Sequence, residues 1–114
     1  GVPADADLVF DARLLPNPHW VTGLRSKTGR EPEVAAFLTQ QTHTQGFIDS
    51  ICHFLTRWLG EYENSQRRYM TVAIGCTGGQ HRSVYVAEQV YEMIKSSHER
   101  TQLRHRELAG METR

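Results

Sequence analysis

The stretch that decides the fold is YMTVAIG–CTGGQHRS–VYVAEQV, residues 69–90. Residues 69–75 are mostly apolar with β-branched members, the pattern of a buried strand central in a sheet. Gly78 and Gly79 interrupt it with a tight bend. From Ser83 to Lys95 the period changes to helical: Val84, Ala87, Tyr91 and Ile94 share one face, and Val86, Val90 and Met93 flank it. A strand, a glycine bend and a helix in this order belong to α/β sheets, which gather ligands beyond the carboxyl ends of their strands.

Outward from this unit the remaining elements follow. Residues 7–13 (DLVFDAR) alternate as a strand with a polar end. PNPHW (16–20) holds two prolines around an Asn and is predicted to be a shaped loop, neither helix nor ladder. Residues 21–30 continue as loop, with Arg25, Lys27 and Arg30 expected to be exposed. Pro32 opens a short helix carrying Val34, Ala35, Phe37, Leu38 and Gln41. The strongest periodicity spans 45–62, where Phe47, Ile51, Phe54, Leu55 and Trp58 form a face widened by Ile48, Cys52 and Leu59. Thr44 is expected to cap this helix, Cys52 to be a packed thiol and His53 to be half-buried. Residues 60–68 are a polar connector, and 101–107 (TQLRHRE) are predicted to form a last short strand. The expected architecture is one small α/β layered domain, residues 1–114, with a largely parallel sheet and helices packed on it.

Composition narrows the function classes. The 114 residues are 39% hydrophobic and 23% charged, enough for a core and against disorder. Thirteen Lys and Arg against thirteen Asp and Glu exclude a protein basic throughout, though not one with a local basic patch. No apolar run approaches the roughly 18 residues of a membrane span, and no signal-peptide pattern is present. Two cysteines, Cys52 and Cys76, build no disulfide framework, so reduced thiols in a cytoplasm are expected. The six histidines show no metal-ligand spacing, and neither metal nor cofactor is expected. Because the chain starts at Gly1, it is read as a domain of a longer protein.

The loop CTGGQHRS (76–83) carries the chemistry. Its glycines let backbone N–H groups approach a ligand, and the first turn of the following helix adds unpaired donors. Arg82 supplies a planar fork for two oxyanion oxygens, and Thr77, His81 and Ser83 supply further donors. Every part favours a phosphate. Cys76, five residues, then Arg82 and Ser83 also satisfy the C-x-x-x-x-x-R-[ST] pattern of cysteine-dependent phosphatases, in which a thiolate attacks phosphorus. Gly75 stands where those enzymes usually carry His, and Asp11 or Asp49 would have to be brought in as general acid. An oxyanion-binding loop, a phosphatase loop and a structural glycine turn all remain open on residue types alone.

A second group, Asp11, Arg13 and His19, lies at the end of the first strand and in the loop after it. If the two strands are neighbours, these residues open on the same edge as the glycine bend; otherwise Asp11–Arg13 is a local ion pair and His19 a packing residue. Late in the chain Arg100, Arg104, His105 and Arg106, with Lys95 nearby, form a basic cluster suited to nucleic-acid phosphates or to a charged sheet edge. No aromatic platform for single-stranded RNA is apparent, and Tyr62, Tyr69, Tyr85 and Tyr91 are scattered or core-facing.

DLVFDARLLPNPHW (7–20) and VAIGCTGGQHRSVYVAEQV (72–90), with the TGR–P–VAAFL stretch and RHREL, resemble the C-terminal domain of the bacterial RNase adapter protein RapZ family. The likeness covers nearly the whole chain. It implies a non-enzymatic domain that senses glucosamine-6-phosphate, a phosphorylated amino sugar. It also implies binding of regulatory small RNA, presentation of that RNA to an endoribonuclease, and homo-oligomers. By motif position the implied ligand residues are Asp11, Arg13, His19, Thr77, Gly78, Gly79, His81 and Arg82. The family's N-terminal nucleotide-binding domain, with its G-x-x-x-x-G-K-[ST] loop, is absent from this chain, so nucleotide binding is not carried over. One departure concerns RNA: enteric members end in lysines and arginines, whereas this chain ends AGMETR (109–114). RNA contact then falls to Arg100, Arg104 and Arg106, or to the missing domain.

Overall fold

A computed structural model describes residues 5–65, 69–76, 80–98, 100–103 and 105. Strand β1 (Leu8–Asp11) pairs in parallel with β2 (Val72–Gly75), in the register Leu8↔Val72 to Asp11↔Gly75. Between them run α1 (Pro32–Thr39) and α2 (Thr44–Asn64); α3 (Arg82–Ile94) follows β2. The architecture is α/β, as the alternation of periods implies, and parallel pairing requires such a long crossover. The far end of the sheet closes where Asp7 N–H donates to the Thr71 carbonyl and Thr71 N–H to the Asp7 carboxylate, both at 2.8 Å.

The core lies among the three helices and the loop after β1. Leu15, Val34, Leu38, Ile48, Ile51 and Val86 are each at most 2% exposed. Each such aliphatic side chain contributes about 1.5–3 kcal/mol of transfer free energy. In α2 the deepest residues are Ile48, Ile51, Cys52 and Leu55, while Phe54 and Trp58 are 36% and 41% exposed. The apolar arc was read correctly, but its centre lies on Ile48–Cys52 because α3 packs on α2, while the half-exposed Phe54 meets the Phe10 ring edge-on at 5.9 Å. His53 is exposed rather than half-buried. Cys52 is buried as expected, and that burial pushes its thiol pKa up, with Asp49 adding to the effect.

Four expectations need correction. β2 is shorter than predicted and not central: among the described residues the sheet has two strands, and Ala73 alone in β2 is buried. Residues 101–103 and 105 form no strand; Thr101 N–H turns back to the His98 carbonyl, and Leu103 anchors the segment alone. A single apolar residue makes a plug, not a strand face. PNPHW contains a one-turn 3-10 helix, Pro18–Trp20, because Asn17 caps it and Pro18 sits at its first position, where no N–H is needed. Thr44 does not cap α2: it lies inside the first turn, His43 stands at the cap, and the buried Thr44 hydroxyl has no partner among the described residues.

The loop 21–30 was expected to be solvated, yet it is sewn onto the start of α3. Gln80 Nε2 donates to the carbonyls of Arg25 (2.8 Å) and Lys27 (2.6 Å), and Gly29 N–H donates to the Gln80 carbonyl (2.9 Å). Arg30 pairs with Glu88 at 3.2 Å, and Glu88 also meets the ring of His105 at 3.0 Å. Lys27 pairs with Glu33 at 2.8 Å, so only Arg25 matches the expectation of a freely exposed charge.

Two stability predictions follow from this packing. A methyl group on Gly29 would overlap the His81 carbonyl and lie 2.5 Å from the Tyr85 nitrogen, both backbone atoms that cannot swing aside. Gly29→Ala is expected to cost about 1–3 kcal/mol in urea unfolding. Thr44→Val removes an unsatisfied buried hydroxyl at constant shape and is expected to leave stability unchanged or raise it by about 1 kcal/mol in the same assay.

Candidate functional site

Parallel pairing brings the ends of β1 and β2 side by side. Asp11 stands opposite Gly75, the residue before Cys76, so the chain leaves β1 and β2 at the same edge of the sheet. This is the juxtaposition on which the two candidate groups depended.

Arg82 joins them. It is the first residue of α3 and only 5% exposed. Its Nη1 donates to the carbonyls of Arg13 (3.1 Å) and Leu15 (3.0 Å), in the segment after β1. Its Nε is buried and has no hydrogen-bond partner among the described residues. None of them forms an ion pair with it either. A buried guanidinium bonded directly only to neutral carbonyls, with the Asp11 carboxylate acting on it without direct contact, is incompletely compensated. It sits at the positive end of a helix dipole, and both features favour an anion.

Around it the other residues take distinct places. Cys76 is partly exposed; its Sγ accepts the Ser83 N–H at 3.3 Å and lies 3.2 Å from the Ser83 hydroxyl. The Ser83 N–H is thus already engaged. His81 is buried, with Nε2 2.9 Å from the Leu24 carbonyl, so the ring faces the docked loop 21–30. His19 is half-buried, its ring edge-on to Trp20 at 4.8 Å. Thr77, Gly78 and Gly79 lie outside the described residues, as do Arg104 and Arg106; Arg100 is exposed.

Asp11 accepts from Arg13 three times through the side chain, at 2.6–3.0 Å, and once from the Arg13 N–H at 2.9 Å. The side-chain bonds chiefly, then the N–H and the positive charges of Arg13 and Arg82, lower its pKa to about 2. Asp11 is therefore a permanent carboxylate near neutral pH. It suits a cation and is a poor proton donor.

Residue types alone missed three contributors. Gln80 and Gly29 act through backbone contacts that no side-chain pattern reports. Trp20, to which the residue pattern assigned no role, is 75% exposed. Among the described residues, no group of three His, Cys, Asp or Glu lies close enough to share a metal ion, and no helix is long and apolar enough to cross a membrane.

With this geometry in hand, comparison with known proteins is decisive. The family model described as the RapZ C-terminal domain matches residues 1–109. This chain belongs to that family. An RNase adapter protein RapZ from Citrobacter koseri is 50% identical over 113 residues, covering 99% of this chain and 40% of the relative. One of the same name from Hamiltonella defensa is 51% identical over 108 residues, 95% of this chain and 38% of the relative. A protein from Hahella chejuensis named nucleotide-binding protein is 49% identical over 109 residues, 96% of this chain and 38% of the relative. The chain thus spans about two fifths of the length of these family members.

The Asp11–Arg13 pair yields a titration prediction. A depressed carboxyl pKa contributes stability above the ordinary value of 3.8, and that contribution is lost as pH falls through about 2. Because the pair is fully exposed, its contribution is small. Carbon-detected NMR should show Asp11 titrating near 2, and Arg13→Ala should return the midpoint towards 3.8.

Proposed function

We propose that this domain binds a phosphorylated amino sugar, glucosamine-6-phosphate, at the carboxyl edge of β1 and β2. Within its longer protein it then serves as a non-catalytic, cytoplasmic adapter. In that role it binds regulatory small RNA, contributes to presenting it to an endoribonuclease, and assembles as a homo-oligomer. The observation that carries the ligand reading is Arg82, a buried cation whose Nε has no partner among the described residues, at the start of α3. A phosphate offers the missing negative charge. The ionised carboxylate of Asp11 provides a counter-charge for the sugar ammonium, with Arg13, His19, Thr77, Gly78, Gly79, His81 and Ser83 completing the expected set. The adapter reading is supported by the names of the Citrobacter and Hamiltonella relatives.

Calorimetric titration with glucosamine-6-phosphate and with inorganic phosphate tests the sensor. Saturable heat is expected with the sugar phosphate and weaker binding with phosphate. Arg82→Ala should reduce affinity at least tenfold, the order lost with one charge-assisted contact. Since Arg82 also ties down the loop after β1, Arg82→Lys serves as a control that keeps the charge. No heat from the unaltered chain overturns the proposal. For RNA, a mobility shift that weakens steeply with salt and with Arg100→Ala/Arg104→Ala/Arg106→Ala is expected.

A second reading, a cysteine-dependent phosphatase, is favoured by one contact, that between Cys76 Sγ and Ser83. Against it stands the state of Asp11, held ionised by Arg13 and unable to protonate a leaving alkoxide at neutral pH. Turnover of an aryl phosphate by the unaltered chain, abolished in Cys76→Ser, would favour this reading over the adapter.

A further inference from the structure

The indole of Trp20 is 75% exposed, while the backbone that carries it is held in a bonded turn. It ends the one-turn helix Pro18–Trp20, in which Asn17 Oδ1 accepts the His19 N–H at 3.0 Å and the Val21 N–H donates to the Pro18 carbonyl at 2.9 Å. Pro18 itself is fully buried and anchors the turn. The His19 ring braces the indole edge-on. Beside it Arg25 reaches back through Nε to the His19 carbonyl at 3.4 Å and meets no carboxylate among the described residues. His19, Trp20, Gly23 and Arg25 line one shallow, open groove. From residue 12 to residue 30 the chain carries Arg13, Arg25, Lys27 and Arg30 and no Asp or Glu, although its total charge is zero.

An aromatic face open to water, next to a guanidinium that meets no carboxylate among the described residues, combines the two parts that bind single-stranded nucleic acid: a surface for base stacking and a cation for the backbone. Small-molecule sites instead enclose most of their ligand, which an open rim does not. We infer that Trp20 is a stacking platform for an unpaired RNA base, with Arg25 contacting the adjoining phosphate. The inference rests on the RNA reading proposed above and assigns that role to a loop far in sequence from Arg100, Arg104 and Arg106.

The two tryptophans, Trp20 and Trp58, allow a direct test. In Trp58→Phe, Trp20 is the sole indole; titration with a short single-stranded oligoadenylate at low salt should quench its fluorescence, and an abasic oligonucleotide of equal length should not. In fluorescence anisotropy with labelled oligoadenylate, Trp20→Ala should weaken binding about tenfold and Trp20→Phe much less. Arg25→Ala should lower the slope of log affinity against log salt by about 0.7. Urea unfolding should be unchanged for these exposed positions, which separates lost contact from lost fold. Equal binding of the abasic strand, or an affinity of Trp20→Ala within twofold of the unaltered chain, overturns the platform while leaving RNA binding elsewhere intact. Weakened glucosamine-6-phosphate binding with unchanged oligonucleotide binding assigns Trp20 to the sugar and also overturns it. Failure of the unaltered chain to bind any oligonucleotide removes both this inference and the RNA reading beneath it.

Discussion

The guanidinium of Arg82 holds the candidate site in its shape. Two neutral carbonyls, of Arg13 and Leu15, receive its Nη1, and through them the segment after β1 is fixed against the first turn of α3. Without that tie, strand pairing would still bring Asp11 opposite Gly75, but the following segment would lose its direct hydrogen bonds to α3. The same side chain is structural in one direction and electrostatically unfinished in the other, since its buried Nε has no protein partner among the described residues. Burial makes the tie rigid and also makes the unmatched charge costly.

The loop 21–30 supports this arrangement from behind. Gln80 and His81 grip its carbonyls at Leu24, Arg25 and Lys27, and Gly29 lets backbone approach backbone where any side chain would collide. The start of α3 is consequently held on two sides, by the β1 segment through Arg82 and by this loop through its two preceding residues. Cys76 and Ser83 complete the frame with a sulfur that accepts a first-turn N–H.

Much of this was legible in the sequence because it depends on periodicity. The shift from an apolar run at 69–75 to helical spacing after Ser83 located β2 and α3, and parallel pairing was expected from α/β connection rules, while the adjacency of β1 and β2 was a condition that the structure meets. The ligand candidates Asp11, Arg13 and Arg82 meet at one edge for the same reason. What escaped has a common physical origin: backbone groups and tertiary cover. Thr44 looked like a cap because hydroxyls usually cap, but His43 took that position and Thr44 was drawn into the core. Leu103 suggested a strand where it only plugs a gap, and the docking of residues 21–30 turns on Gln80 and Gly29, which no pattern marks. His81, read as an anion donor from its place in the loop, also engages the Leu24 carbonyl through its Nε2.

The contacts that frame the candidate site join residues 67 and 69 positions apart. No short fragment of the chain contains both sides of it, and closing so long a loop carries an entropic cost that only the assembled helices and strands repay. The arrangement is thus a property of the finished molecule. A guest spanning both sides selects intact copies and, by mass action, tightens the whole domain rather than a single loop.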